Sequence, residues 1–129
     1  MTNFIKFLIH GYAPDIQEHL MVNEPLKSFT KNKITQNVNK IIDMHGGKFK
    51  IGKTGDAEVR VDQVDYRTAD FSNMYMLYRH PSQDVISELE AYYINRYKNL
   101  FPRKCTNKQM HSGGGMVSRT EYYYLYIVI

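Results

Sequence analysis

The sequence predicts an α+β domain: a small antiparallel sheet of about three strands flanked by helices, with additional N-terminal helices. Three observations carry that expectation. A glycine pair opens a strand, turn and helix at Gly46–Arg60, a helical period runs through Val85–Leu100, and Arg119–Ile129 is dense in β-branched and aromatic residues. The 129 residues are enough for one domain that buries roughly two-thirds of its unfolded surface and needs no covalent staple. The expected layout is a single domain, 1–129, with an N-terminal helical extension at 1–46, a motif-bearing core at 47–107 and a C-terminal strand at 116–129.

In chain order, Asn3–Tyr12 is apolar enough for a first strand or a short buried helix, ended by Gly11 and Pro14. A short helix is expected over Asp15–Leu26, with Ile16 and Leu20 inward and Pro25 as its stop. Lys27–Lys33 carries three lysines and reads as a basic loop. From Lys33 to His45, Ile34, Val38, Ile41 and Ile42 recur on one helical face, and Gly46-Gly47 end it. A short strand follows at Lys48–Gly52, with Lys48 and Lys50 on one face and Phe49 and Ile51 on the other.

Beyond the turn at Thr54-Gly55-Asp56, Asp56 is placed to cap a helix reaching Tyr66, with Ala57, Val61 and Val64 in helical period. Phe71–Tyr78 reads as a second strand. Ser82 is the natural cap of the longest helix, Val85–Leu100, buried along Ile86, Leu89, Tyr93, Tyr97 and Leu100. On that helix Glu90 shares the spacing of Ile86, Ile94 and Tyr97, whereas Glu88 sides with Asn95 and Asn99. The C-terminal strand follows the flexible Gly113-Gly114-Gly115, and alternation sets Tyr122, Tyr124 and Tyr126 against Tyr123, Leu125 and Ile127.

Composition narrows the classes. No apolar run is long enough to span a membrane and no cleavable leader is evident, so an intracellular protein is expected. One cysteine, Cys105, allows no internal disulfide, and with five histidines it forms no zinc spacing. The triple glycine lacks the lysine of a phosphate-binding loop. A net charge of +4 and a pI of about 9.1 favour a polyanionic partner without naming one.

Two features point to chemistry. Lys50, Lys53 and Arg60 lie around a helix start, where three cations suit a phosphate; the plainer alternative is a solvated basic face. An inward Glu90 needs a partner, either an arginine at the rim of the core or a divalent ion.

Lys50-Ile51-Gly52-Lys53-Thr54-Gly55-Asp56 followed by Arg60 resembles the second half of the GIY-YIG nuclease signature, which many members write with KIG. Ser87-Glu88-Leu89-Glu90-Ala91-Tyr92-Tyr93-Ile94 resembles the helix that carries the metal-binding glutamate of GIY-YIG homing endonucleases. The resemblance runs from about Lys48 to Asn107, less than half of the chain. It implies a GIY-YIG-like fold, with Lys50 at the place of the YIG tyrosine, Gly52 at its glycine, Arg60 as the catalytic arginine and Glu90 as the metal ligand. Lys53 matches a basic residue that several members keep, and Asn107 lies about where many place an asparagine.

The family's GIY strand is missing from its usual place, which is occupied by the helical Ile34–Ile42. The C-terminal strand would pair with Lys48–Gly52 in its stead, as in a circular permutation, with Tyr124 or Tyr122 supplying the family's tyrosine. The alternatives are that those tyrosines only pack, or that Phe4–Tyr12 fills the gap.

The activity implied by the resemblance is hydrolysis of DNA phosphodiesters with one divalent cation, magnesium or manganese, held by Glu90. Arg60 would bind the scissile phosphate, Lys50 or Tyr124 would help activate water, and Lys53, with Gly52 and Asn107, would serve substrate binding. Two other classes stay open: a nucleic-acid-binding module of the same fold without chemistry, and an interaction protein whose C-terminal strand joins that of another subunit, as in a homodimer. Small free-standing domains of this kind resemble those carried by phages and large viruses.

Overall fold

A computed structural model describes residues 13–63, 66, 71–108 and 116–129. The expectations for Asn3–Tyr12, for the glycine hinge at 113–115 and for the part of the Asp56–Tyr66 helix at 64–65 lie outside the described residues. The chain is α+β, with elements β1 (Asp15–Gln17), α1 (Ser28–His45), β2 (Lys50–Thr54), α2 (Ala57–Val61), β3 (Asn73–His80), α3 (Gln83–Leu100) and β4 (Tyr123–Val128).

The sheet order is β1-β3-β4-β2. β4 runs antiparallel to β2, with Gly52 opposite Tyr126, and antiparallel to β3 on its other side. These three strands make the expected small antiparallel sheet; β1 adds a fourth, parallel to β3. Both edges of β4 are therefore taken within the chain, and the C-terminal strand that was expected to offer an edge to a second copy has none to offer. A bulge interrupts the β3–β4 register between Met76 and Tyr78.

Two apolar layers cover the sheet. On one face α1 contributes Ile34, Val38, Ile41 and Ile42 and α3 contributes Ile86, Leu89, Tyr93, Ile94 and Tyr97, packed on Ile51, Leu77, Leu125 and Ile127. Each such side chain is worth roughly 1.5–3 kcal/mol when fully buried. On the opposite face Val61, Tyr66 and Phe71 close over Met74, Met76, Tyr126 and Val128. Tyr124 and Tyr126 thus face the second layer while Leu125 and Ile127 face the helices, as alternation requires.

The N-terminal half departs from the sequence reading. Asp15–Leu26 is no helix: Ile16 and Leu20 have helical spacing, but the outer edge of β3 is open and the backbone takes it, through β1 and through a bridge from Val22 to Tyr78. Lys27–Lys33 is no loop either. Thr30 starts the helix early, since its hydroxyl accepts from Lys27 N–H at 3.3 Å and donates to the Pro25 carbonyl at 2.8 Å. Residues 15–45 therefore belong to the sheet and the core and are no appended extension. At the far end Gly46 adopts φ +69°, the left-handed conformation that closes α1, and donates to Ile42 O at 2.8 Å.

Leu100, read as part of the buried face of α3, is 56% exposed, and β2 runs two residues further than read, to Thr54, but the two helix-start signals hold. Asp56 accepts from Val59 N–H at the start of α2, and Ser82 accepts from Val85 N–H at the start of α3. Among the described residues no helix is long and apolar enough to cross a membrane.

Candidate functional site

β2 is an edge strand with chemistry on both faces. Lys53 lies on the side of α3, where its ammonium donates to Ser87 Oγ at 3.0 Å and stands 3.9 Å from Glu90 Oε1. Glu90 is 0% exposed and the Lys53 side chain 7%. The inward turn of Glu90, read from its spacing on α3, holds, and a lysine from the motif strand meets it. Little water screens the attraction of such a pair, which offsets part of the cost of burying its charges.

On the other face, Tyr126 lies flat across Gly52. A Cβ added to Gly52 would stand 2.3 Å from the Tyr126 hydroxyl oxygen and 2.4 Å from Cζ, so only glycine lets the ring approach. The Tyr126 hydroxyl is 2.5 Å from that of Tyr66. Arg60, one turn into α2, lays its guanidinium 3.8 Å above the Tyr66 ring and hydrogen-bonds to Tyr126, and the Lys50 ammonium is 5.4 Å from the same ring. Burial pushes the Tyr126 phenol above the ordinary tyrosine range, Arg60 and the Tyr66 hydroxyl pull it back, and the Glu90 charge raises it again.

The structure brings Lys50, Gly52, Lys53, Arg60 and Glu90 around the end of β2. It places two sequence-predicted residues elsewhere. Tyr124 is opposite Thr54, its hydroxyl 3.1 Å from that of Thr120, and it lines a separate cleft of about 480 Å³ with Arg119 and Asp56. The tyrosine at the glycine is Tyr126, two residues on: the right face of the strand was read, and the register was not.

Asn107 is the second. Its Oδ1 accepts from Ile51 N–H at 2.9 Å, its Nδ2 donates to Ile51 O at 2.8 Å, and the residue is 4% exposed. Ile51 faces Ile127 as a pair without mutual hydrogen bonds, so its polar groups point off the sheet edge, and Asn107 serves them as a further strand would. With Phe49 bonded to Lys104 and Thr106, the segment 104–107 closes this edge. Oδ1 and Nδ2 of Asn107 each serve the backbone, which makes it a support of the β2 strand.

The sequence reading missed Tyr66 and Ser87. Ser87 was within its reach, three residues before Glu90 on the same helical face. Tyr66 was not, because its nearness to Tyr126 is set by the fold-back after α2. Burial raises the Cys105 thiol above its ordinary range. Neither the models of known protein families, nor the curated proteins, nor the solved structures contain a match to this chain.

Proposed function

We propose that this chain is a divalent-metal-dependent DNA endonuclease of GIY-YIG type, circularly permuted so that β4 does the work of the missing GIY strand. The observation that carries the reading is the placement of β4: antiparallel to the Lys50-Ile51-Gly52 strand, with Tyr126 on the glycine and beside Arg60. In this reading Tyr126, in place of Tyr124, stands for the family's first tyrosine, and Lys50 for its second.

This reading requires one hydrated ion at Glu90, whose carboxylate is buried beside the Lys53 ammonium, so the ion would have to displace that ammonium. Among the described residues no three His, Cys, Asp or Glu cluster as an all-protein metal cage, and the reading asks for one carboxylate, that of Glu90. Magnesium accepts that arrangement, since it keeps several waters and uses one or two carboxylates beside substrate phosphate. Glu90 would hold it, and when bound it supplies positive charge to the leaving oxygen. Arg60 binds the scissile phosphate, the form of anion its planar fork suits best. The Tyr126 hydroxyl and Lys50 orient the attacking water, and Lys53 holds a neighbouring phosphate.

The test is nicking of supercoiled plasmid with magnesium or manganese by the native protein, Glu90→Gln and Arg60→Ala. Metal-dependent nicking lost in both variants is the expected result. A folded native protein that binds DNA with a steep salt dependence yet never nicks it would replace this reading by a DNA-binding module without chemistry.

A further inference from the structure

Tyr66 has no counterpart among the motif residues, yet it touches three members of the candidate site. Its hydroxyl lies 2.5 Å from that of Tyr126, its ring carries the Arg60 guanidinium at 3.8 Å, and the Lys50 ammonium is 5.4 Å from its centroid. It is 1% exposed, and edge-to-face contacts hold it against Phe71 and Tyr126, with ring centroids 6.1 and 6.0 Å away. A ring so packed has little freedom to turn.

We propose that Tyr66 is the positioning residue of this site: its hydroxyl fixes the Tyr126 hydroxyl, and its ring fixes the plane of the Arg60 guanidinium, so that one side chain sets both groups relative to the phosphate. This rests on the nuclease reading for its catalytic meaning, while the geometry it asserts does not. The Arg60 guanidinium hydrogen-bonds to Gln63 at one edge, and stacked on a buried ring it is held in one plane, with its remaining donors in fixed directions. A phenol hydroxyl likewise rotates about its C–O bond until a partner selects one orientation. Tyr66 also takes up the space beside Lys50, where the motif strand carries no aromatic ring of its own.

Two variants separate the two roles. Tyr66→Phe keeps the ring and loses the hydroxyl, whereas Tyr66→Leu loses both. In single-turnover cleavage of a DNA duplex, Tyr66→Phe should lower kcat about tenfold, the order of one well-aligned hydrogen bond, with KM unchanged. Tyr66→Leu should lower kcat at least as much and raise KM several-fold, and Tyr66→Phe thus restores binding without restoring rate. A residue that only fills space would move the two parameters alike in both variants.

The geometric half is read without catalysis, by NMR of the Arg60 side chain. Its protons should carry an upfield ring-current shift in the native protein and in Tyr66→Phe, and lose it in Tyr66→Leu, with metal-free affinity for the duplex falling in the same order. Arg60 resonances unshifted in the native protein would overturn the proposal, as would a Tyr66→Phe variant cleaving at the native rate. A native protein that shows the Arg60 shift but never cleaves would sink the nuclease reading and leave the clamp itself supported.

Discussion

Replacing Gly52 by alanine is the sharpest perturbation of this architecture. The new Cβ would stand 2.3 Å from the Tyr126 hydroxyl oxygen, 2.4 Å from Cζ and 2.8 Å from Cε1, where ordinary contact begins at 3.4 Å. The ring must retreat by about 1 Å, and it cannot do so freely, because Tyr126 is 1% exposed and packed with Tyr66, Met76 and Val128. A shift of that size takes the Tyr126 hydroxyl out of its 2.5 Å contact geometry with Tyr66. Overpacking costs about 1–3 kcal/mol and the lost bond about 1 kcal/mol more, so roughly 3 kcal/mol of stability should go. For a chain of this size that lowers Tm by about 10 °C. In the nuclease reading a 1 Å displacement of Tyr126 also lowers kcat by about a hundredfold.

Urea unfolding supplies the assay, run as a double-mutant cycle with Tyr126→Leu. The smaller side chain vacates the space above residue 52, so Gly52→Ala should cost under 1 kcal/mol in that background, a coupling of about 2 kcal/mol. Tyr126→Phe should not rescue, because Cζ and Cε1 clash as the hydroxyl does. Equal costs of Gly52→Ala in the native and Tyr126→Leu backgrounds would refute the reasoning.

Asn107→Ala should leave the Ile51 N–H and C=O unserved, cost about 2–3 kcal/mol and speed hydrogen exchange of the Ile51 amide well beyond that of its neighbours. Glu90→Gln should destabilise by about 3 kcal/mol by leaving Lys53 buried without its counter-charge, and Lys53→Met in the Glu90→Gln background should recover part of that loss in the same unfolding assay. Tyr93 is pushed up to about 12 from an ordinary 10.0, chiefly by burial. The folded state then keeps its proton longer than the unfolded one, so stability is level below about pH 10 and falls between pH 10 and 12; Tyr93→Phe should flatten that fall in alkaline melts.

How much was legible from sequence divides along physical lines. Local signals were sound wherever one side chain settles an outcome: Asp56 and Ser82 cap their helices, Gly46 closes α1, and the spacing on α3 turned Glu90 inward. Errors arose where a distant partner decides. Asp15–Gln17 forms a strand because β3 has an edge to fill, which helical spacing in Ile16 and Leu20 cannot reveal. Alternation identified the correct face of β4, yet the choice between Tyr124 and Tyr126 depends on pairing register with β2, which no property of Tyr122–Tyr126 encodes by itself. Asn107 was noticed for its place in a motif, and its use as a backbone prop depends on which polar groups of Ile51 point off the sheet.

The central seat of β4 has a consequence for how the protein is made. β2 and β3 never touch as neighbours; they are joined only through residues 123–128, which are translated long after both. While those residues are still inside the ribosome, the nascent chain carries two open strand edges flanking a vacant lane, and the helices α1 and α3 have little sheet to pack upon. Productive folding is thus deferred until β4 emerges and slots between its neighbours, a closure that spans most of the polypeptide and is correspondingly slow. A stall or a premature stop before Tyr123 would release a chain with every motif residue except Tyr126 and no means of assembling them.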